Sequence, residues 1–137
     1  MAWNNDIGKV GEQLAQKHLR DNGYAILETN WRLGKMEADI IAYREGLVVF
    51  VEVKTRSSSL FGEPQEFVDY NKQRSYVKMA NAYVLQRGRS EEVRFDIIAI
   101  EVGATGFNLN HIENAFNAMD VWNHSNKRRS SKCHSLK

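Results

Sequence analysis

The segment Leu47–Val51 restricts the fold of this chain more than any other, because five consecutive apolar residues run directly into Glu52-Val53-Lys54. A short apolar run rich in β-branched residues favours a strand that is buried on both faces. Alternation along a strand places Glu52 and Lys54 on the same face, about 7 Å apart. The sequence therefore predicts that an acid and an amine lie side by side at the end of a buried strand.

A second strand is predicted immediately before this one. Met36–Tyr43 has the period of a strand, which places Glu37 and Asp39 on one face. Arg44-Glu45-Gly46 provides a tight reversal, so the two strands should pair antiparallel as a hairpin. Acids from one strand would then meet the acid and the lysine of the next. Such a cluster is suited to a hard metal ion and to phosphate chemistry.

The rest of the chain completes the element order α-β-β-β-α-β-β-α. Helices are predicted over Ile7–Asn22, Asn71–Arg87 and Asn114–Met119, and further strands over Tyr24–Trp31, Val93–Val102 and Phe107–Ile112, with a loop over Thr55–Pro64. Three consecutive strands favour an antiparallel meander, and the helix after the third favours a right-handed crossover to a parallel neighbour. We expect one α/β domain over residues 1–122, with a mixed sheet of about five strands and helices on both faces.

Length and composition narrow the class of protein. A chain of 137 residues forms one domain with a substantial core. Its longest apolar run is far shorter than the 18 or so residues that span a bilayer, and its start lacks the pattern of a signal peptide. The single cysteine, Cys133, excludes an internal disulfide and suits a reducing compartment. We therefore expect a cytoplasmic protein with no membrane partner.

The net charge of +2 is unevenly distributed along the chain. Residues 1–122 contain 14 Lys and Arg against 17 Asp and Glu, whereas residues 123–137 contain five Lys and Arg and no acid. So polar a tail is expected to be disordered. Lys127, Arg128 and Arg129 could hold a polyanion by releasing counterions, although a solubilising terminus without a partner has the same composition.

An isolated E-x-K sequence is most often a solvated ion pair at the end of a strand. Here the charges interrupt two very hydrophobic strands, and such breaks in a local pattern are expected mainly at functional sites. Two carboxylates about 5 Å apart repel by roughly 3 kcal/mol at an effective dielectric near 20. A nearby lysine or a divalent cation relieves that repulsion, and Mg²⁺ prefers one or two carboxylates together with water and phosphate oxygens.

The hairpin with D-x12-E-x-K resembles the PD-(D/E)XK nuclease superfamily, the fold of restriction endonucleases and archaeal-type Holliday junction resolvases. More closely, the chain resembles the uncharacterised bacterial YraN-type family over about residues 7–116. The matching segments are GKVGEQLAQKHLRDNGYAILETNWR, EADIIAYREGLVVFVEVKTRSSSLFG, KQRSYVKMANAY and RFDIIAI. The chain has Met36-Glu37-Ala38-Asp39 where that family has G-E-I-D, which keeps both acids.

The resemblance implies a restriction-endonuclease-like fold and a role for each acid of the cluster. Asp39 and Glu52 would hold Mg²⁺ or Mn²⁺ and act in catalysis together with Lys54. Glu12, on the first helix, would be an auxiliary acid of the metal site, and Glu37, which matches the first acid of G-E-I-D, would be a further metal-site residue.

Three further residues are candidates for contacts to nucleic acid. Arg56 continues the face of Glu52 and Lys54 and could touch a phosphate, although a surface arginine needs no such role. Lys72 and Gln73 lie at the start of the second long helix. Gln73 could equally be a buried glutamine with a backbone partner.

The function expected from these residues is divalent-metal-dependent hydrolysis of nucleic-acid phosphodiesters, as by an endonuclease or a resolvase-like hydrolase in DNA processing or repair. The alternative is a non-catalytic nucleic-acid-binding module that retains the nuclease fold, because an acidic domain lacks a broad positive groove. Hydrolysis of a small nucleotide is a third possibility. Resolvase-like proteins are dimers, so a homodimer is also an expectation. Asp96, which interrupts an apolar strand, is expected to be structural, and His111 to make a hydrogen bond only.

Overall fold

The computed structural model describes residues 3–57 and 68–123, with side chains from Ile7 onward. Its elements are α1 (Trp3–Asp21), β1 (Ala25–Leu33), β2 (Met36–Arg44), β3 (Leu47–Ser57), α2 (Tyr70–Arg87), β4 (Glu92–Val102) and β5 (Phe107–Phe116). Residues 118–123 form one further helical segment. The predicted order of helices and strands is confirmed. Over these residues, no helix is long and apolar enough to cross a membrane.

The five strands form one mixed sheet in the order β1-β2-β3-β4-β5. Strands β1, β2 and β3 form an antiparallel meander, β4 runs parallel to β3, and β5 returns antiparallel to β4. Helix α2 lies in the connection between the two parallel strands, because a parallel partner can be reached only by a crossover. The α/β fold is confirmed, and it is consistent with a restriction-endonuclease-like core.

The hairpin between β2 and β3 fixes the register on which the site depends. Glu45 and Gly46 both have positive φ, 50° and 80°, which is the geometry of the two-residue turns that match the twist of paired strands. Arg44 therefore pairs with Leu47, and the ladder extends to Ile40 opposite Val51.

The two long helices cover opposite faces of the sheet, as predicted. Ala15 and Leu19 of α1 pack on one face, whose buried strand residues include Ile40, Ala42, Val49, Val51, Ile98 and Ile100. Tyr76, Met79 and Tyr83 of α2 pack on the other face, whose buried strand residues include Ile41, Val48, Phe50, Phe95 and Ile97. Because successive strand side chains alternate between faces, β2, β3 and β4 supply both cores.

Capping fixes where α2 begins and ends. The Asp69 side chain accepts a hydrogen bond from the backbone N–H of Lys72 at 2.8 Å, which satisfies one of the unpaired donors of the first turn. Gly88 ends the helix with a left-handed φ of 61°. The first turn of α2 is thereby held next to the ends of β2 and β3.

Two predicted boundaries are wrong. Thr55, Arg56 and Ser57 belong to β3 rather than to a loop, because pairing with β4 continues to the end of that strand. The helix predicted over Asn114–Met119 lies instead at residues 118–123, because β5 continues to Phe116 after a bulge that contains Asn114. The remainder of the predicted loop and the basic residues Lys127, Arg128 and Arg129 lie outside the described residues.

Candidate metal centre at the end of the β2–β3 hairpin

Asp39 and Glu52 lie where the ladder between β2 and β3 ends. The last paired residues are Ile40 and Val51, so the next positions on the two strands are the two acids. Asp39 Oδ2 accepts a hydrogen bond of 2.8 Å from the backbone N–H of Val53, which directs this carboxyl across the opening between the strands. The carboxyls of Asp39 and Glu52 are near enough for the charge of Glu52 to raise the pKa of Asp39. The predicted meeting of these two acids is therefore present in the structure.

The electrostatics of the pair are unfavourable to two negative charges. Burial and the neighbouring charge of Glu52 raise the pKa of Asp39 from its ordinary 3.8 to about 8. The N–H of Val53 acts in the opposite direction, whereas the hydrogen bond to Glu52 and the charge of Glu12 raise the pKa of Asp39 further. At neutral pH the pair therefore retains a proton that a bound cation would displace.

Two lysines approach Glu52 from different elements. Lys54 Nζ lies 3.4 Å from Glu52 Oε2, and Lys72 Nζ lies 3.7 Å from the same oxygen. The Glu52 side chain is 4% exposed, whereas those of Lys54 and Lys72 are 37% and 41% exposed. Glu52 Oε2 is therefore buried beside two partly exposed cations, which connect it to the protein surface.

Glu12 reaches the neighbourhood of the pair from α1. Asn30 lies in β1 between Thr29 and Trp31, which pair with Ile40 and Ala38 on either side of Asp39. Its Nδ2 donates to Glu12 Oε1 at 3.1 Å. Asn30 has a left-handed φ of 51° within its strand, a conformation that Asn tolerates better than most residues. Backbone outliers of this kind concentrate at functional sites.

A close approach of α1 to β3 brings Glu12 to this position. A Cβ built on Gly11 would lie 1.8 Å from Thr55 Oγ1, so only glycine allows the helix to come so near the strand. Gly11 directly precedes Glu12 in the sequence. The glycine thus determines how near Glu12 comes to the end of the sheet.

Other predicted site residues lie apart from the acid pair. Glu37 Oε2 pairs with Arg32 of the neighbouring strand at 3.3 Å. Gln73 Nε2 donates to the carbonyl of Val68 at 3.2 Å, which is the backbone partner considered as the alternative for a buried glutamine. Arg56 continues β3 two residues beyond Lys54.

The donor set of the described residues is that of a two-carboxylate site. Within residues 3–57 and 68–123, no three Asp, Glu, His or Cys side chains converge closely enough to hold an ion. Asp39 and Glu52 would therefore be the protein ligands, and Glu12 is near enough to affect Asp39 through its charge. Two neighbouring carboxyls, one of them with a raised pKa, fit a small hard cation such as Mg²⁺, which completes its coordination with water and substrate oxygens.

Sequence reasoning missed Tyr76, which is fully buried on α2. Its hydroxyl donates to Glu52 Oε1 at 2.5 Å and accepts from the backbone N–H of Asp39 at 3.4 Å. Burial and the charge of Glu52 raise the pKa of Tyr76 well above its ordinary value, so the hydroxyl keeps its proton. The apolar stripe of α2 assigns this tyrosine to the core, and its spacing of four residues from Lys72 is the signal that both face the same site.

A family model described as "Uncharacterised protein family UPF0102" matches residues 11–100. The chain belongs to this family. A UPF0102 protein of Flavobacterium psychrophilum is 50% identical over 116 residues, which cover 85% of this chain and 98% of the relative. One of Flavobacterium johnsoniae is 46% identical over 120 residues, with the same shares.

The relatives extend beyond the genus Flavobacterium. A UPF0102 protein of Alkaliphilus oremlandii is 44% identical over 116 residues, which cover 82% of this chain and 99% of the relative. The matched residues 11–100 contain Glu12, Asp39, Glu52, Lys54 and Lys72. The expected resemblance to an uncharacterised bacterial family is confirmed.

Proposed function

We propose that this UPF0102 protein is a divalent-metal-dependent nuclease that hydrolyses nucleic-acid phosphodiesters. One observation carries the proposal: Asp39 and Glu52 meet at the open end of a buried hairpin, and Lys54 Nζ lies 3.4 Å from Glu52 Oε2. Two acids beside an amine at the mouth of a site match the needs of phosphoryl hydrolysis, which are charge neutralisation and proton transfer.

Asp39 and Glu52 would hold Mg²⁺ or Mn²⁺, which when bound offsets negative charge on the phosphate and favours ionisation of water. Lys54 is close enough to orient the attacking water or to stabilise the charge that develops on the phosphate oxygens. Lys72 approaches the same oxygen of Glu52 from α2 and is suited to bind the substrate phosphate. Glu12, held by Asn30, would act on water rather than as a direct ligand.

An extended substrate suits the exposure of the site. The side chains of Lys54 and Lys72 are each about two-fifths exposed, so the mouth admits a polymer without enclosing it. Arg56 follows on the same face of β3 and would bind the next phosphate along a strand of DNA. Lys127, Arg128 and Arg129 of the tail would add sequence-independent attraction that weakens with salt.

The test is cleavage by the purified full chain in Mg²⁺ or Mn²⁺, with linear, branched and single-stranded DNA and with RNA. We expect Lys54→Met to reduce the rate at least 100-fold, which is the usual contribution of a group that transfers a proton. Lys17→Met is the matched control, because Lys17 lies on the exposed surface of α1 and pairs with the exposed Asp21. Equal rates for the two variants would exclude Lys54 from the chemistry.

Absence of cleavage on every substrate would contradict the nuclease proposal. Salt-sensitive binding of nucleic acid without cleavage would support the alternative function, a binding module that keeps the nuclease fold. Sedimentation of the chain with and without DNA would test the proposed homodimer.

A further inference from the structure

The hydroxyl of Tyr76 contacts both acids of the proposed metal centre from the α2 side. It donates to the carboxylate of Glu52 at 2.5 Å and accepts from the backbone N–H of Asp39 at 3.4 Å. The ring is rigidly held, because Tyr76 is 0% exposed and its centroid lies 6.4 Å from that of Phe116 in an edge contact. Lys72 Nζ lies 6.0 Å from the ring centroid.

The two oxygens of Glu52 have different partners. Oε1 accepts the Tyr76 hydroxyl, whereas Oε2 faces the amines of Lys54 and Lys72. Asp39 likewise has one oxygen, Oδ2, that accepts a hydrogen bond from the backbone N–H of Val53. Each carboxyl therefore has one oxygen bound by a donor of the protein interior.

We infer that Tyr76 is the positioning residue of the metal centre, and that its hydroxyl fixes Glu52 as a ligand through Oε2 alone. This inference rests on the proposed function. Ligation by one oxygen from each acid suits a small octahedral ion with several waters, such as Mg²⁺ or Mn²⁺. Ca²⁺ takes six to eight oxygens and commonly binds carboxylates through both. Tyr76 thus gives the site a preference against Ca²⁺.

Tyr83 provides a matched control on the same helix. It is 2% exposed, and its ring packs in the same core as that of Tyr76. Its hydroxyl contacts Glu28 Oε2 at 3.3 Å, and Arg87 neutralises that carboxylate at 3.1 Å. Replacement of either tyrosine by phenylalanine removes one hydroxyl and leaves the ring in place.

The experiment is calorimetric titration of the full chain, as wild type, Tyr76→Phe and Tyr83→Phe, with Mn²⁺, Mg²⁺ and Ca²⁺ in turn. Loss of an outer-shell hydrogen bond to a ligand typically weakens metal binding about 10- to 100-fold. We expect a loss of that size for Mn²⁺ in Tyr76→Phe, a smaller loss for Ca²⁺, and wild-type values in Tyr83→Phe. Equal affinities in all three proteins, or equal losses in both variants, would overturn the inference and leave the nuclease proposal intact.

A second measurement needs no metal and no variant. A hydroxyl proton held between Tyr76 and a buried carboxylate exchanges slowly and resonates far downfield, and it correlates with the ring carbons of Tyr76 in the NMR spectrum of the wild type. If the wild type binds no divalent cation, the metal-dependent function fails and the inference that rests on it fails as well. If the wild type binds the ion, this resonance tests the inference alone. The presence of the resonance supports the contact that positions Glu52, and its absence overturns the inference.

Discussion

Asp39 and Asp96 are both carboxyls within apolar strands, but the protein treats their charges in opposite ways. Asp96 is fully buried on the α1 face, where Arg94 binds both its oxygens at 2.8 Å. His111 Nε2 lies 2.7 Å from Oδ2, and the N–H of Asn114 donates to Oδ1 at 3.0 Å. Burial raises the pKa of Asp96, but these partners outweigh it and hold the pKa below its ordinary value. The pKa of Asp39 is raised to about 8.

The difference separates a structural carboxylate from one suited to an external cation. Asp96 is neutralised by its own protein and joins three elements, since His111 in turn contacts His18 Nε2 of α1 at 3.0 Å. Asp39 has a backbone donor and an acidic neighbour, and two lysines reach only the far oxygen of that neighbour. A raised pKa that neighbouring groups do not offset is the pattern expected of a functional carboxyl.

Replacement of Asp96 should have the largest effect on stability. Asp96→Asn leaves the guanidinium of Arg94, 16% exposed, without its carboxylate. Removing one partner of a buried pair typically costs about 3–5 kcal/mol. We expect a loss of that size in the free energy of unfolding, measured with urea, and almost none in Asp21→Asn, whose pair is exposed. A loss below about 1 kcal/mol for Asp96→Asn would remove the distinction between the two acids.

The two aspartates should also differ in the sign of their pH dependence. Because the pKa of Asp39 is raised in the folded protein, the protonated carboxyl favours the folded state. This contribution to stability is fully present below about pH 4. It is lost as the pH rises towards 8, at no more than about 1.4 kcal/mol per pH unit. Asp39→Asn should therefore gain stability relative to wild type across that window. The lowered pKa of Asp96 contributes stability above about pH 4 that is lost on acidification.

Urea unfolding of wild type, Asp39→Asn and Asp96→Asn at a series of pH values checks this prediction. The amide of Asp39→Asn can still accept the Val53 N–H, so the variant isolates the charge. Parallel pH profiles for the two variants would show that Asp39 is as well compensated as Asp96.

Helix α1 serves both regions, because the charge of Glu12 acts on Asp39 and His18 contacts the Asp96 network. Gly11→Ala places a Cβ 1.8 Å from Thr55 Oγ1, so the helix must move away from β3. We expect a loss of about 1–3 kcal/mol in unfolding free energy together with weaker Mn²⁺ binding. Gly8→Ala, which meets nothing within 4 Å, should instead gain up to about 1 kcal/mol. A neutral Gly11→Ala would mean that α1 does not need this contact.

The smallest effect is expected at Asn30, whose φ of 51° disfavours most side chains. Asn30→Gly keeps the backbone relaxed, whereas Asn30→Ala should cost about 1–2 kcal/mol in unfolding free energy. Both variants lose the hydrogen bond to Glu12 and should weaken Mn²⁺ binding equally, by a few-fold, in calorimetry. Wild-type affinity in both would show that the hydrogen bond from Asn30 to Glu12 contributes nothing to the metal centre.

The sequence was sufficient for the hairpin and the acid pair. Apolar alternation and a two-residue turn determine the register of β2 and β3, so Asp39 and Glu52 had to meet. The ion pair of Glu37 could not be predicted from the sequence in the same way. Glu37 shares the strand period of Asp39, but its pairing with Arg32 depends on a register shift between Ile26 and Glu28 of β1 that no local pattern reveals.

Tyr76 and the end of β5 show two further limits. Helical periodicity assigns a side chain to a face, but it does not indicate that the Tyr76 hydroxyl lies beneath Glu52. The helix predicted over Asn114–Met119 was wrong because the bulge opposite Asp96 adds residues to β5. A bulge is stabilised by a side chain distant in sequence, so its own residues do not predict it.

A crystal of the full chain soaked in Mn²⁺ tests the central distinction most directly. We expect one anomalous peak on the α2 face, bound by Asp39 and Glu52 Oε2, and none beside Asp96. A crystal in which no peak lies between the two acids, at Mn²⁺ concentrations that saturate such sites, would contradict the proposed metal centre.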